Sequence, residues 1–148
     1  ERARVLPVVD AALASGADRP GAGDQRPVRL APDDVAALSV WTSLVVVRDV
    51  LWSRITRGNA LASLTMWREV AVGAVAPFQA APLTLAAFAA WLAGDGAQAQ
   101  CALDRVREVA PQYSMAALVQ QALTGCLDPA HWEGLDTADV LRTVPGLS

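Results

Sequence analysis

The sequence predicts an all-α protein, a compact array of about six to eight antiparallel helices. Three observations predict it. Alanine, the best helix former, supplies about one residue in five. Isoleucine, which favours strands, occurs once, at Ile55. Apolar residues recur at spacings of three and four through most of the chain, which is the helical period. Of the 148 residues, 53% are hydrophobic and only 18% charged. That balance excludes a disordered acidic tail and fits one domain, residues 1–148, with a well-packed interior.

Residues 1–14 predict an N-terminal helix whose regularity Pro7 limits. Residues 15–31 (SGADRPGAGDQRPVRLA) hold no apolar period and predict a loop or linker. The helical core is expected over 32–148. Pro32, Asp33 and Asp34 suit a first helical turn, where proline is tolerated and carboxylates complement the dipole. Ala37, Val40, Leu44, Val47, Leu51 and Ile55 then follow with helical spacing, predicting one helix of about five turns. The β-branched run Leu44-Val45-Val46-Val47 also fits a buried strand or a break between two helices; the period on both sides favours helix. Gly58 is expected to end it.

Asn59 is a good N-cap for the next helix. Its apolar face is Ala60, Leu64, Trp67, Ala71, Ala74 and Val75, and it stops before Pro77. A helix from about Leu83 to Ala93 ends at Gly94-Asp95-Gly96. The next, from about Ala97 to Ala110, buries Ala99, Ala102, Leu103, Val106 and Ala110 and ends at Pro111. A further helix from about Ser114 to Thr124 buries Met115, Leu118, Val119, Ala122 and Leu123, with Gly125 as C-cap. Pro129 to Trp132 predict a short turn of helix, and Thr137 caps a last helix through Thr143.

Net charge is −3 and the isoelectric point about 5.0, the reverse of a basic nucleic-acid-binding domain. All 12 basic residues are arginine, which reads as a GC-rich genome rather than as a sign of binding. Cys101 and Cys126 form no CxxC motif, which argues against a zinc site; they are expected as two buried free thiols in a reducing cytoplasm. No charge falls between Glu69 and Asp95, a stretch long enough to span a bilayer. Pro77, Gln79 and Pro82 interrupt it, so it predicts two buried helices joined by a proline-bounded turn, and no membrane span. No signal peptide is visible, and a start at Glu1 is expected of a piece of a longer protein.

Within residues 83–116, Gly94 and Asp95 turn the chain, and Ala99, Leu103, Val106 and Pro111 follow. This resembles one tetratricopeptide-like helical hairpin, in which the small Ala99 lets the second helix approach the first. The repeat's large aromatic and Leu-Gly pair are replaced by Leu83, Ala86 and Ala87, and the pattern does not recur. A wider set runs through Val47-Arg48-Asp49, Trp67, Ala81-Pro82-Leu83-Thr84-Leu85, Ala90-Trp91 and Gly94-Asp95-Gly96. It continues through Ala99, Ala102-Leu103-Asp104-Arg105, Pro111, Tyr113-Ser114-Met115-Ala116, Leu123, Gly125, Pro129 and Trp132. From Leu30 to Trp132 these resemble the C-terminal helical part of domain-of-unknown-function family 4192, an uncharacterised actinobacterial family. The first 29 residues share no motif with it. The resemblance implies a bacterial cytoplasmic protein in which a separate N-terminal region precedes this part. It brings no activity.

No catalytic residue, cofactor or metal is predicted. His131 is the only histidine and its neighbours offer no partner; Ser114 and Cys101 lack a nucleophile motif. Asp95 between two glycines reads as turn chemistry. Asp104, Arg105, Arg107 and Glu108 read as a solvated face. Arg48 and Asp49 interrupt an apolar helix, and adjacent helical residues do not face each other. Each is therefore expected to meet another helix or a partner. Of the five tryptophans, Trp67 and Trp91 are expected in the core, whereas Trp52 and Trp132 are candidates for a binding surface.

The leading expectation is a non-enzymatic helical interaction or scaffold module that binds a protein partner in a groove between hairpins. Arg48, Asp49, Trp52, Arg54 and Trp132 are the candidate partner-binding residues. One alternative is an accessory domain for an enzymatic or ligand-binding N-terminal region. A second, less favoured, is nucleic-acid binding through Arg48, Arg54, Arg57 and Arg68, diluted by Asp49 and Glu69. A homo-oligomer stays open.

Overall fold

In the computed structural model, which describes residues 2–17 and 29–134, the apolar stripes of seven α-helices converge on one core. They are α1 (Arg2–Ala17), α2 (Pro32–Trp41), α3 (Val45–Ser53), α4 (Ala60–Gly73), α5 (Ala80–Leu92), α6 (Gly96–Val109) and α7 (Ser114–Thr124). Short 3-10 turns lie at Arg57–Asn59 and Pro129–His131. The all-α class is as the sequence predicts. The helix expected at 137–143, and most of the 15–31 loop, lie outside the described residues.

α5 is the centre. Every one of its residues except Leu83 is buried, and a helix that is apolar all round belongs inside. Its one polar side chain, Thr84, donates to the Ala80 carbonyl at 2.8 Å, so no buried hydroxyl is left unpaired. Alanine at 86, 87, 89 and 90 keeps the helix thin, so α4 and α6 pack closely on it from two sides. The uncharged stretch between Glu69 and Asp95 is therefore one buried helix, α5, joined by a proline-bounded turn to the end of α4, which is buried on one face only and exposes Val72, where two buried helices were expected. No single described helix is long and apolar enough to cross a membrane. α5 begins at Ala80, before the expected Leu83. Pro82 falls in its first turn, where the missing N–H has no carbonyl to serve.

The single helix expected through Leu44 is a correction: α2 and α3 meet at 111°. The hydroxyls of Thr42 and Ser43 bond back to the last turn of α2 at the break. Thr42 Oγ1 donates to the carbonyls of Leu38 (2.8 Å) and Ser39 (3.0 Å), and Ser43 Oγ donates to that of Val40 (2.6 Å). Such back-bonding competes with the helical ladder and bends it. Leu44 is then extended, with φ −83° and ψ 116°. The break turns Leu51 and Ile55 into the core but leaves Val40 and Leu44 exposed at the corner, contrary to the periodic reading.

α3 ends at Ser53, ahead of Gly58, and Thr56 and Asn59 form a reciprocal capping box. Asn59 is the N-cap of α4 by position, yet its side chain caps no α4 amide. It instead accepts from Thr56 N and Ser63 Oγ and donates to the Arg54 carbonyl, tying α3 to α4. Val75 lies beyond the end of α4 and is exposed rather than on its apolar face.

Asp95 caps α6, accepting from Gln98 N at 2.9 Å, and Gly94 before it takes φ +83°, which suits glycine. α7 buries Met115 and Val119, but Leu118, expected inside, is exposed because it falls off that stripe. Gly125 is the C-cap; the left-handed residue is its neighbour Cys126, at φ 50°. Both cysteines are exposed, which corrects the expectation of buried thiols.

Candidate functional site

α4 and α6 flank α5, and an open trough of about 740 Å3 lies between them. Leu83 and Ala86 of α5 form its floor. Leu64, Arg68, Ala71 and Val72 of α4 form one wall, and Gln98, Cys101, Ala102 and Arg105 of α6 the other. Helical geometry gathers each set: residues three, four and seven apart share a face. The floor lies low because Ala86 ends at a methyl.

Among the described residues Arg68 and Arg105 are the only charged ones lining the trough, and no carboxylate lines it. Arg68 Nη1 donates to Gln98 Oε1 at 3.1 Å, linking α4 to α6. Gln98 Nε2 in turn donates to Asp95 Oδ2 at 2.8 Å. The Gln98 backbone N–H and side-chain amide hold the Asp95 carboxyl below its ordinary pKa, and the Arg68 charge adds to this. Arg105 pairs with Glu108 at 2.6 Å, with both side chains more than half exposed, so the pair is weak and exchangeable. Val72, at the edge, is 87% exposed. With Leu61, Thr65 and Arg68 it lines a solvent-facing stripe of α4. An apolar floor and two guanidinium groups can receive a ligand with an apolar face and acidic flanks.

The five candidate partner-binding residues from the sequence lie elsewhere, and none of them lines the trough. Arg48 pairs with its own neighbour Asp49, through Nε at 2.8 Å and Nη2 at 2.6 Å. Adjacent helical residues were expected not to face each other; the long arginine side chain folds back to close the gap. Its Nη1 also meets Tyr113 Oη at 3.3 Å, with the guanidinium 5.8 Å from the ring centre. Burial disfavours the charge, but the bonds to Tyr113 and Asp49 outweigh it and raise the Arg48 pKa above its ordinary value. The side chain is 11% exposed and clamps α3 to the start of α7.

Trp52 and Trp132 are half-buried and stack on each other, 6.5 Å apart with an 11° interplanar angle. Phe88 meets both edge-on, at 5.5 and 5.1 Å, and Trp91 lies 6.3 Å from Trp132. This cluster closes the Pro129–His131 turn over α3 and α5. The indole N–H groups of Trp52 and Trp132 are buried with no hydrogen-bond partner among the described residues. Trp67 and Trp91 are in the core, as expected.

Arg54 pairs with Asp10 of α1 at 3.0 Å, and Arg57 stands exposed in its 3-10 turn. Of the four arginines weighed for nucleic acid, only Arg68 lines the trough. Sequence reasoning missed Arg105, assigned to a solvated face, and Leu83, read as a helix start and as part of the family pattern but not as a binding residue. The spacing of 64, 68, 71 and 98, 101, 102, 105 was available as a signal. What it lacked was the knowledge that both faces border α5. Asp104 and Arg107 pair at 3.3 Å on the exposed face of α6, as expected of a solvated surface. Among the described residues no three His, Cys, Asp or Glu side chains gather to hold a metal ion.

The geometry defines an all-α helical array with an apolar trough, edged by arginine, on one side. Comparison with known families assigns the chain: residues 1–130 match the Domain of unknown function family (DUF4192), and the protein belongs to it. The match includes the first 29 residues, where no shared motif was discernible. No curated protein and no solved structure matches the chain.

Proposed function

We propose that this protein is a non-enzymatic helical interaction module that docks a protein segment in the trough between α4, α5 and α6. The observation that carries the reading is the trough itself: open, about 740 Å3, with an apolar floor and Val72 exposed at its edge. Recognition of a helix in an apolar groove is a common mode of peptide binding. The α5–α6 hairpin, with Ala99 fully buried on it, supports the tetratricopeptide-like comparison. Two exposed thiols suit a reducing compartment such as a bacterial cytoplasm.

The test is capture from source-cell lysate on the immobilised chain, with and without nuclease, beside Val72→Glu and Arg68→Glu. Both residues are exposed, so the variants are expected to fold. The reading requires a protein retained by the parent in both conditions and lost from the variants. Equal retention by the variants moves the interaction away from the trough. Retention that disappears with nuclease replaces it by nucleic-acid binding, and no retention at all favours the accessory-domain alternative.

A further inference from the structure

We infer that the occupant of the trough is an acidic amphipathic helix of about two turns, with a carboxylate on each flank of its apolar stripe. This rests on the docking reading above and adds the chemistry of the partner. Dimensions come first. Leu64 to Val72 along one wall and Gln98 to Arg105 along the other each span about 10–12 Å at 1.5 Å per residue. That length takes about two turns, so the occupant offers apolar residues at positions i, i+3 or i+4, and i+7 to Val72, Leu83 and Ala102.

Charge complementarity selects the acid. The chain as a whole carries −3, yet the charged residues lining the trough are two arginines. They are rooted on opposite walls, and Arg68, which in the free protein reaches across the trough to Gln98, addresses the α4 flank of a helix once it lets Gln98 go. In the free protein Arg68 donates to the neutral amide oxygen of Gln98, and Asp95 acts on it only through its charge, not by a direct bond. A carboxylate is the stronger acceptor, and an incoming Asp or Glu replaces that amide. Among the described residues Arg105 pairs with the exposed Glu108 alone, and it exchanges that partner as readily. A phosphate backbone would find its two cations set over an apolar floor, so nucleic acid is the poorer complement.

The experiment is fluorescence anisotropy with the full chain and three labelled helical peptides. Each has leucines at i, i+3, i+4 and i+7, with glutamate, glutamine or lysine on both flanks. The glutamate peptide is expected to bind about tenfold or more tighter than the glutamine peptide, and the lysine peptide not to bind. Arg68→Gln and Arg105→Gln are each expected to shrink that preference several-fold while leaving affinity for the glutamine peptide within about twofold. A second readout is the rate at which Cys101 reacts with a thiol reagent in Cys126→Ser, which the bound peptide slows.

Equal affinity for the glutamate and glutamine peptides, with Cys101 protected by both, overturns the acidic partner and leaves the docking reading standing. Failure of every peptide to bind or to protect Cys101 overturns both. Protection by duplex DNA, and not by the peptides, assigns the trough to nucleic acid and overturns the inference.

Discussion

Ala99→Leu probes the close helix packing that sets the trough's walls. Ala99 has no exposed surface, and it shares the buried stripe of α6 with Leu103 and Val106. Leucine adds three carbons there while changing helix propensity little, so the loss reports packing. Forcing methylenes into a filled core costs about 1–3 kcal/mol. With no open surface at the site to receive the side chain, a value near the middle, about 2 kcal/mol, is expected. In a chain of this size that lowers Tm by about 6 °C. Ala97→Leu is the control, on the same helix but exposed, and is expected to stay within about 0.5 kcal/mol of the parent. Circular dichroism melts and urea midpoints at constant m-value read both. If Ala99→Leu melts together with Ala97→Leu, α6 is not seated by close approach, and the wall it supplies to the trough is misplaced.

Three further outcomes follow from the same packing and charge arrangement. Arg48→Ala, which leaves Asp49 and Tyr113 without their partner, is expected to cost about 1–2 kcal/mol, whereas Arg54→Ala, which breaks an exposed pair, costs less than about 0.5; equal urea midpoints would refute the clamp. The folded pKa of Asp95 is depressed, so its contribution is complete above the unfolded value of about 3.9 and is lost as pH falls through the lower folded value. Asp95→Asn is therefore expected to flatten the Tm–pH curve below about pH 4, and superimposable acid limbs would contradict the cap. Cys101 and Cys126 are both exposed, so native protein is expected to titrate two thiols with a thiol reagent as fast as the denatured chain does; a slow phase removed by urea would show one of them buried.

Much of the fold was legible because α5, α6 and α7 obey local rules. Gly94-Asp95-Gly96, Pro111 and Gly125 punctuate the chain where backbone chemistry demands it, so the ends of α6 and α7 fall within a residue of expectation. The corner between α2 and α3 was not legible from periodicity. Apolar spacing runs on through Leu44, while at the bend the hydroxyls of Thr42 and Ser43 bond back to their own turn and Leu44 is extended. Leu118 fits a helical period and still faces solvent, because period alone cannot say how wide the buried stripe is, and Val75 fits it although α4 has already ended at Gly73.

The site was harder still. Arg48, Trp52 and Trp132 stood out as unusual residues in apolar surroundings. The structure uses Arg48 to join α3 to α7, and the two tryptophans to join α3 to the 3-10 turn after α7. The trough is made of ordinary residues, Leu83, Ala86, Ala102 and two arginines, and their meaning comes from the way α4 and α6 lie against α5. That placement is a tertiary fact. Single-helix patterns carry the two faces but not their proximity.

The most direct test of the trough as a docking surface is photocrosslinking from within it. Cys101 lines the trough and Cys126, beyond the end of α7, does not. Cys126→Ser labelled at Cys101 with a benzophenone maleimide, and Cys101→Ser labelled at Cys126, would each be irradiated in source-cell lysate. The account predicts a discrete protein adduct from Cys101, absent from Cys126 and abolished by Arg68→Glu with Arg105→Glu. No adduct from Cys101, or one that the double charge reversal leaves intact, would contradict it.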